Sequence, residues 1–222
     1  MVMSKTLIFI LFISFLIGST AFAQPHFTKG DLQSFLSSEM RYPAYAKQHC
    51  IEGTVSISFK LDAEGTLRDV KVKKGLGIDL DDEAIRLIQL TKGKWELDKN
   101  YDSTQELIVP IKFELQNYGC QLVPQATKQQ AIMQYQARQG LENLVLAYYA
   151  DKNLGKADPT KEAEILNLKA ELGFDQEFVN AQLAQANGLL KNGKTEEACK
   201  ILHFIKNIGF ADADALIAAN CK

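Results

Sequence analysis

Four cysteines are the residues most able to make or break bonds in this chain: Cys50, Cys120, Cys199 and Cys221. His49 stands beside Cys50, a pairing that with further ligands would hold a metal, or with a base would arm a thiol. No further ligand follows at a useful spacing, so the pair reads as a solvated histidine beside a disulfide. Asp81, Asp82 and Glu83 form an acidic run, but no histidine or fourth oxygen ligand lies close in sequence. They read as the solvated first turn of a helix, with Asp79 as its expected N-cap. Gln24-Pro25-His26 has the outline of an amino-terminal copper site. That geometry needs a deprotonated amide at the second residue, and Pro25 has none. The chain contains no glycine-rich phosphate loop, CxxC, HExxH or GxSxG. We therefore expect no enzyme, no cofactor and no metal site, and cysteines that serve structure.

The chain's first residues give those cysteines their context. Lys5 precedes the apolar run Leu7–Ile17, and "AFA" closes it at Ala21–Ala23. The run is too short for a membrane span, which takes about 20 apolar residues. Residues 1–23 are expected to be a signal peptide with cleavage before Gln24. The alternative is an uncleaved anchor in the inner membrane. Export to the periplasm places four cysteines in an oxidising compartment, so two disulfides are expected among three possible connectivities. With 25 basic and 27 acidic residues and a net charge of −2, nothing marks a nucleic-acid surface.

The elements that must position these residues fall into two groups. Asp31–Met40 has helical apolar spacing, stopped ahead of Pro43, and a short helix is expected in "AYAKQH". Thr54–Leu61 alternates apolar and polar residues with a period of two, which predicts a strand with one buried face. "DAEG" should turn the chain on Gly65. A second strand over Thr66–Lys73 should carry a bulge or start late, because Leu67 is out of phase with Val70 and Val72. A helix is expected from "GIDLDDEAIRLIQL", then a third strand over Glu106–Leu115. Pro110 sits inside that strand and cannot donate to a ladder, which makes it an edge. Beyond Cys120 only helical patterns remain: Pro124–Ala150, Thr160–Leu172, Gln176–Lys191, Thr195–Asn207 and Ala211–Asn220. "TKEAEILNLKAELGF" (Thr160–Phe174) matches "TEEACKILHFIKNIGF" (Thr195–Phe210) with one insertion. Such spacing belongs to helix-hairpin repeats; the other reading is a plain helical bundle.

"YPAYAKQHCIEGTVSISFKLDAEGTLRDVKV" (Tyr42–Val72), "LDDEAIRLI" (Leu80–Ile88), Trp95 and "VPIKFEL" (Val109–Leu115) occur in this order. Over Gly30–Leu115 the chain resembles the C-terminal domain of the TonB family in its Bacteroidetes form. The helical part is similar, less specifically, to tetratricopeptide-like repeats. The chain departs from TonB energy transducers in its cleavable leader and in having no proline-rich spacer. The proline usual after the tryptophan is also missing in "KWELD" (Lys94–Asp98).

The resemblance implies an α+β fold over 28–120, a small three-stranded antiparallel sheet with helices on one face. An all-α helical-repeat domain over 124–222 follows. It also implies a partner: a segment of an outer-membrane transporter, or of another envelope protein, added as a strand to a sheet edge. Glu106, Ile108, Pro110, Lys112 and Glu114 of the third strand are the expected contact residues. A purely structural sheet domain on a helical scaffold is the rival reading, and homodimerisation stays open. The strand order decides the bridges. If the third strand runs antiparallel beside the first, the start of one adjoins the end of the other and Cys50 meets Cys120. If it pairs with the second strand instead, eight residues at about 3.3 Å each keep them about 26 Å apart, beyond any disulfide. We expect Cys50–Cys120, and Cys199–Cys221 across an antiparallel helix pair. N-terminal sequencing of the exported protein should begin at Gln24; a start at Met1 would support the anchor.

Overall fold

A computed structural model describes residues 24–116 and 118–221. The segment read as a signal peptide lies outside the described residues. The element order is β1 (His26–Phe27), α1 (Leu32–Glu39), α2 (Ala44–Gln48), β2 (Gly53–Leu61), β3 (Leu67–Lys74), α3 (Asp79–Gln89), β4 (Trp95–Glu96) and β5 (Leu107–Phe113). Helices α4 (Gln125–Asn153), α5 (Glu162–Leu172), α6 (Gln176–Lys191), α7 (Thr195–Asn207) and α8 (Asp214–Asn220) follow. The fold is α+β, with an antiparallel three-stranded sheet of order β3-β2-β5. That is the order in which the third long strand neighbours the first.

The residues divide into two compact units that interleave along the chain. The first holds 24–41, Ser56–Lys74 and Ala84–Ile111. The alternation along β2 puts Ile57, Phe59 and Leu61 wholly inside, together with Leu87 and Ile88 of α3. Of the two expected irregularities, a bulge or a late start, the bulge is present. Two steps along β2, from Lys60 to Ser58, face three along β3, from Arg68 to Lys71. The extra residue, Asp69, takes φ +52°, as the bulged position of a twisted hairpin can. Asp62 accepts the Thr66 N–H at 2.8 Å and fixes the turn. Gly65 has φ +74°, and a Cβ there would lie 2.7 Å from the Trp95 carbonyl oxygen, so only glycine fits. Asp31 caps α1 by accepting the Ser34 N–H at 2.8 Å. The ribbon β1–β4 pairs Phe27 with Trp95 and His26 with Glu96. Two-residue strands leave no periodicity, and sequence reading missed both.

The second unit holds Tyr42–Val55, Gly75–Glu83 and residues 112–221. Here α2 ends in a Schellman motif. The Ile51 N–H donates to the Ala46 carbonyl at 2.8 Å, and the Cys50 N–H to that of Lys47 at 3.3 Å. Cys50 occupies the left-handed position of that motif with φ +53°, where glycine is usual. Its side chain is bonded to Cys120, with Cα atoms 5.3 Å apart. Cys199 is bonded to Cys221, Cα atoms 5.6 Å apart, across the packed pair α7 and α8. Asp79 departs from its expected part as the cap of α3. It is the first residue of that helix, and its carboxylate accepts the Tyr45 and Ala46 N–H groups at 3.0 and 3.3 Å. It therefore caps α2, whose own N-cap is Pro43 and offers no side-chain acceptor.

The later helices follow their expected spans closely, α4 running three residues further and α8 starting three residues later. Tyr149 on α4 organises one end of them. A Cβ on Gly209 would lie 2.1 Å from its ring. The ring also faces the Lys169 ammonium, 4.9 Å from its centroid. Lys169 is buried, and its ammonium lies 3.9 Å from the centre of the Phe210 ring. Burial holds this amine below the usual lysine range, with Lys152 adding to the effect.

Two predictions follow from this packing. Cys50→Gly and Cys50→Ala both lose a bridge spanning 70 residues, which is about 4 kcal/mol in the loop-entropy account. Only alanine adds left-handed strain of about 1–2 kcal/mol, so the glycine variant should melt about 2–8 °C above the alanine one. Equal melting points would show that the φ value imposes nothing. Lys169→Met keeps the apolar stem and removes the desolvated charge. The folded-state pKa is lowered, so wild-type stability should rise as pH climbs toward the free lysine value. The methionine variant should lack that rise and melt about 2–4 °C higher at neutral pH, since desolvation outweighs a cation–π gain of about 2 kcal/mol. A lower melting point would mean the aromatic contacts dominate.

Candidate protein-binding edge

Strand β5 alternates sharply. Val109, Ile111 and Phe113 are buried, whereas Ile108, Pro110 and Lys112 are exposed, Ile108 to 53%. The cause is the sheet's one-sided core: every second side chain faces α-helical cover, and the rest face water. The five residues expected to meet a partner share the open side or flank it, but they do different things. Glu106, one residue before β5, is turned toward the lysines of β3. Its carboxylate accepts from Lys73 Nζ at 2.9 Å and lies 3.7 Å from Lys71 Nζ. The Lys73 hydrogen bond holds the Glu106 carboxyl below the usual carboxylate range. Lys112 and Glu114 pair with each other, Nζ to Oε1 at 2.5 Å, on the exposed surface. Such surface pairs are worth about 0–1 kcal/mol, so both side chains are cheap to redirect.

Pro110 has a partner that sequence reading did not find. Its carbonyl accepts the side-chain amide of Gln33, on α1, at 3.2 Å. Gln33 is exposed, polar and carries no pattern, so no sequence signal could have singled it out. Beside Ile108 and Val109 opens a cleft of about 250 Å³, walled by Gln24, Pro25, Gln105 and Leu107 and floored by Phe59 and Trp95. Trp95 is held from several sides. Its Nε1 donates to Thr91 Oγ1 at 2.9 Å, and Thr91 Oγ1 in turn donates to the Ile88 carbonyl at 2.6 Å. Its ring lies 5.3 Å from that of Phe27 and 5.7 Å from that of Phe59. The cleft floor is therefore held in place, and its walls come from Gln24 and Pro25 on one side and from Gln105 and Leu107 on the other.

The other surfaces fit other tasks less well. His49 stacks on Tyr45, ring centres 4.3 Å apart, and its neighbour Cys50 is consumed in a bridge. Among the described residues no group of three or more His, Cys, Asp or Glu is placed to hold a metal ion. No helix among them is long and apolar enough to cross a membrane. An open hollow of about 450 Å³ lies along α7, lined by Leu146, Glu196, Cys199, Lys200, His203, Phe204 and Asn207.

Residues 38–115 match the family described as Gram-negative bacterial TonB protein C-terminal. Over this segment the chain is similar to the C-terminal domain of TonB proteins. Protein TonB of Helicobacter pylori strain J99 is 34% identical over 84 residues, which is 38% of this chain and 29% of that protein. Protein TonB of H. pylori strain 26695 is 33% identical over the same length and shares. The chain thus spans less than a third of the curated relatives it matches. The solution structure of the H. pylori TonB C-terminal domain is similar at 30% identity and a TM-score of 0.33, covering 39% of this chain and 91% of that one. Both the β5 edge and Trp95 lie inside the TonB-like segment; Gln24, Pro25 and Gln33 precede it.

Proposed function

We propose that this chain is a periplasmic, non-catalytic protein-binding module of the TonB type. It takes an extended segment of an outer-membrane transporter, or of a similar envelope protein, as an added strand on the outer edge of β5. In this way it serves TonB-dependent transport across the envelope. The observation that carries the reading is Pro110. It lies within an end strand of the sheet order β3-β2-β5, has no N–H to give, and offers its carbonyl to Gln33 on a helix rather than to a strand. In a strand, a residue's N–H and C=O leave on the same side and alternate from one residue to the next. Ile108 and Lys112 share the parity of Pro110, so their backbone groups also point away from β2. Three outward residues in register are what an added strand requires. The match to TonB proteins supports a protein partner and agrees with a chain free of catalytic motifs. The helical part, 124–222, would serve as an attached adaptor built from helix-hairpin repeats.

The hollow along α7 favours a second reading, in which the helices bind the partner and the sheet domain is structural. Capture from outer-membrane extracts with each domain deleted in turn separates the two. A sharper test uses proline. Ile108→Pro removes an outward donor and leaves the inward ladder, so melting should stay within about 1 °C of wild type while transporter capture falls at least tenfold. Val109→Pro breaks a bond to β2 and leaves a buried acceptor unpaired, which costs about 1–3 kcal/mol and should lower the melting point by several degrees. If Ile108→Pro captures as well as wild type while Val109→Pro melts normally, the edge assignment is wrong.

A further inference from the structure

The outer edge of β5 is not bare, and what lies on it belongs to the same chain. At Pro110 the carbonyl that an added strand would use already accepts from Gln33 Nε2. At Ile108 the cleft beside the strand is walled by Gln24 and Pro25. Both contacts come from one short stretch, residues 24–33, anchored at its middle, where Phe27 is buried and the Thr28 N–H donates to the Lys94 carbonyl at 2.9 Å. It holds the two-residue strand β1, the Phe27 ring against Trp95 and Phe35, and the first turn of the eight-residue α1. Gly30, at φ +84° and with open space around it, divides β1 from α1.

We propose that this stretch masks the binding edge, with Gln33 as the latch: its amide stands in for the N–H of an incoming strand, and a partner must displace it. The proposal rests on the strand-addition reading and deepens it into regulation of that site. The chemistry is a like-for-like exchange. One amide donor on the Pro110 carbonyl is replaced by another, so displacement costs little in hydrogen bonding, and binding follows how many further bonds the partner makes at Ile108 and Lys112. A masked edge also resists pairing with a second copy, the usual hazard of an exposed strand. An exposed hydrogen bond of this kind shifts an equilibrium about three- to tenfold.

Gln33→Glu tests the latch without weakening the helix that bears it. A glutamate cannot donate to the Pro110 carbonyl, yet an acid in the first turn of α1 favours the helix dipole. The full chain with both bridges intact should therefore melt no lower than wild type. Amide exchange should quicken about three- to tenfold at Ile108 and stay unchanged at Val109. A synthetic peptide of the N-terminal segment of the captured transporter should bind about three- to tenfold tighter. Gln33→Ala should move both measurements the same way, by less. Unchanged exchange at Ile108 in both variants overturns the mask, and so does faster exchange without tighter peptide binding. Neither result touches strand addition itself, which stands or falls on whether Ile108→Pro abolishes peptide binding.

Discussion

The left-handed cysteine at position 50 is the constraint on which the strand arrangement turns. Cys50 does three jobs at once. It ends α2 in a Schellman motif, it precedes β2 by three residues, and its sulfur reaches Cys120 beyond the end of β5. Glycine would satisfy the first job more cheaply, because φ +53° strains any side chain with a Cβ. Only a thiol satisfies the third. Glu52 reinforces the same junction, accepting the Leu115 N–H at 2.7 Å and pairing with Lys128 Nζ at 3.6 Å. With the start of β2 and the end of β5 fixed together, β5 can only run antiparallel beside β2. One side of β5 is then spent on β2, and the other is left as an edge.

An edge is useful for binding and dangerous for the same reason. This chain blunts it with residues that do not consume it. Pro110 removes one donor outright, Lys112 and Glu114 place charge along it, and Gln33 occupies one acceptor. Each device is reversible or local. The ion pair is exposed and worth little, and the Gln33 bond is one side chain on a short helix. None of them covers the edge with packed apolar area, which an incoming strand could not displace. Under the proposed strand addition, this weak protection leaves the edge within reach of an incoming strand.

Much of this was legible in the sequence, and the limits were physical. The alternation in Thr54–Leu61 and Glu106–Leu115 is strong because one sheet face is buried and the other is mostly open, with Ser58 the buried exception. Pro110 marked the edge and Leu67 the bulge, since each breaks a periodic rule at one position. The pairing of the cysteines followed from strand order. The ribbon β1–β4 did not show, because two residues cannot display a period. Asp79 was placed on the right helix start but not on its real partner, since a cap given to a neighbouring helix leaves no trace in local spacing. Gln33 was invisible for a different reason: a solvent-exposed amide works through one hydrogen bond and leaves no apolar pattern around it.

The helical half shows how far a sequence resemblance can be trusted in physical detail. The matched segments end alike because both helices close with the same motif. Phe174 N–H donates to the Lys169 carbonyl and Phe210 N–H to that of Ile205, with Gly173 and Gly209 at positive φ. Aligned on those ends, Leu172 corresponds to Ile208, and both are buried. Lys169 then corresponds to Ile205, and both are buried too, one a cation and the other a hydrocarbon. A lysine at that point reads as solvent-facing. In the fold its ammonium sits over Phe210, the terminal aromatic of the other segment, and near the Tyr149 ring. The charge is carried inside by aromatic faces instead of by a carboxylate. The two segments therefore share their backbone endings and their buried stripe, yet differ in what fills it, and the difference is where they touch.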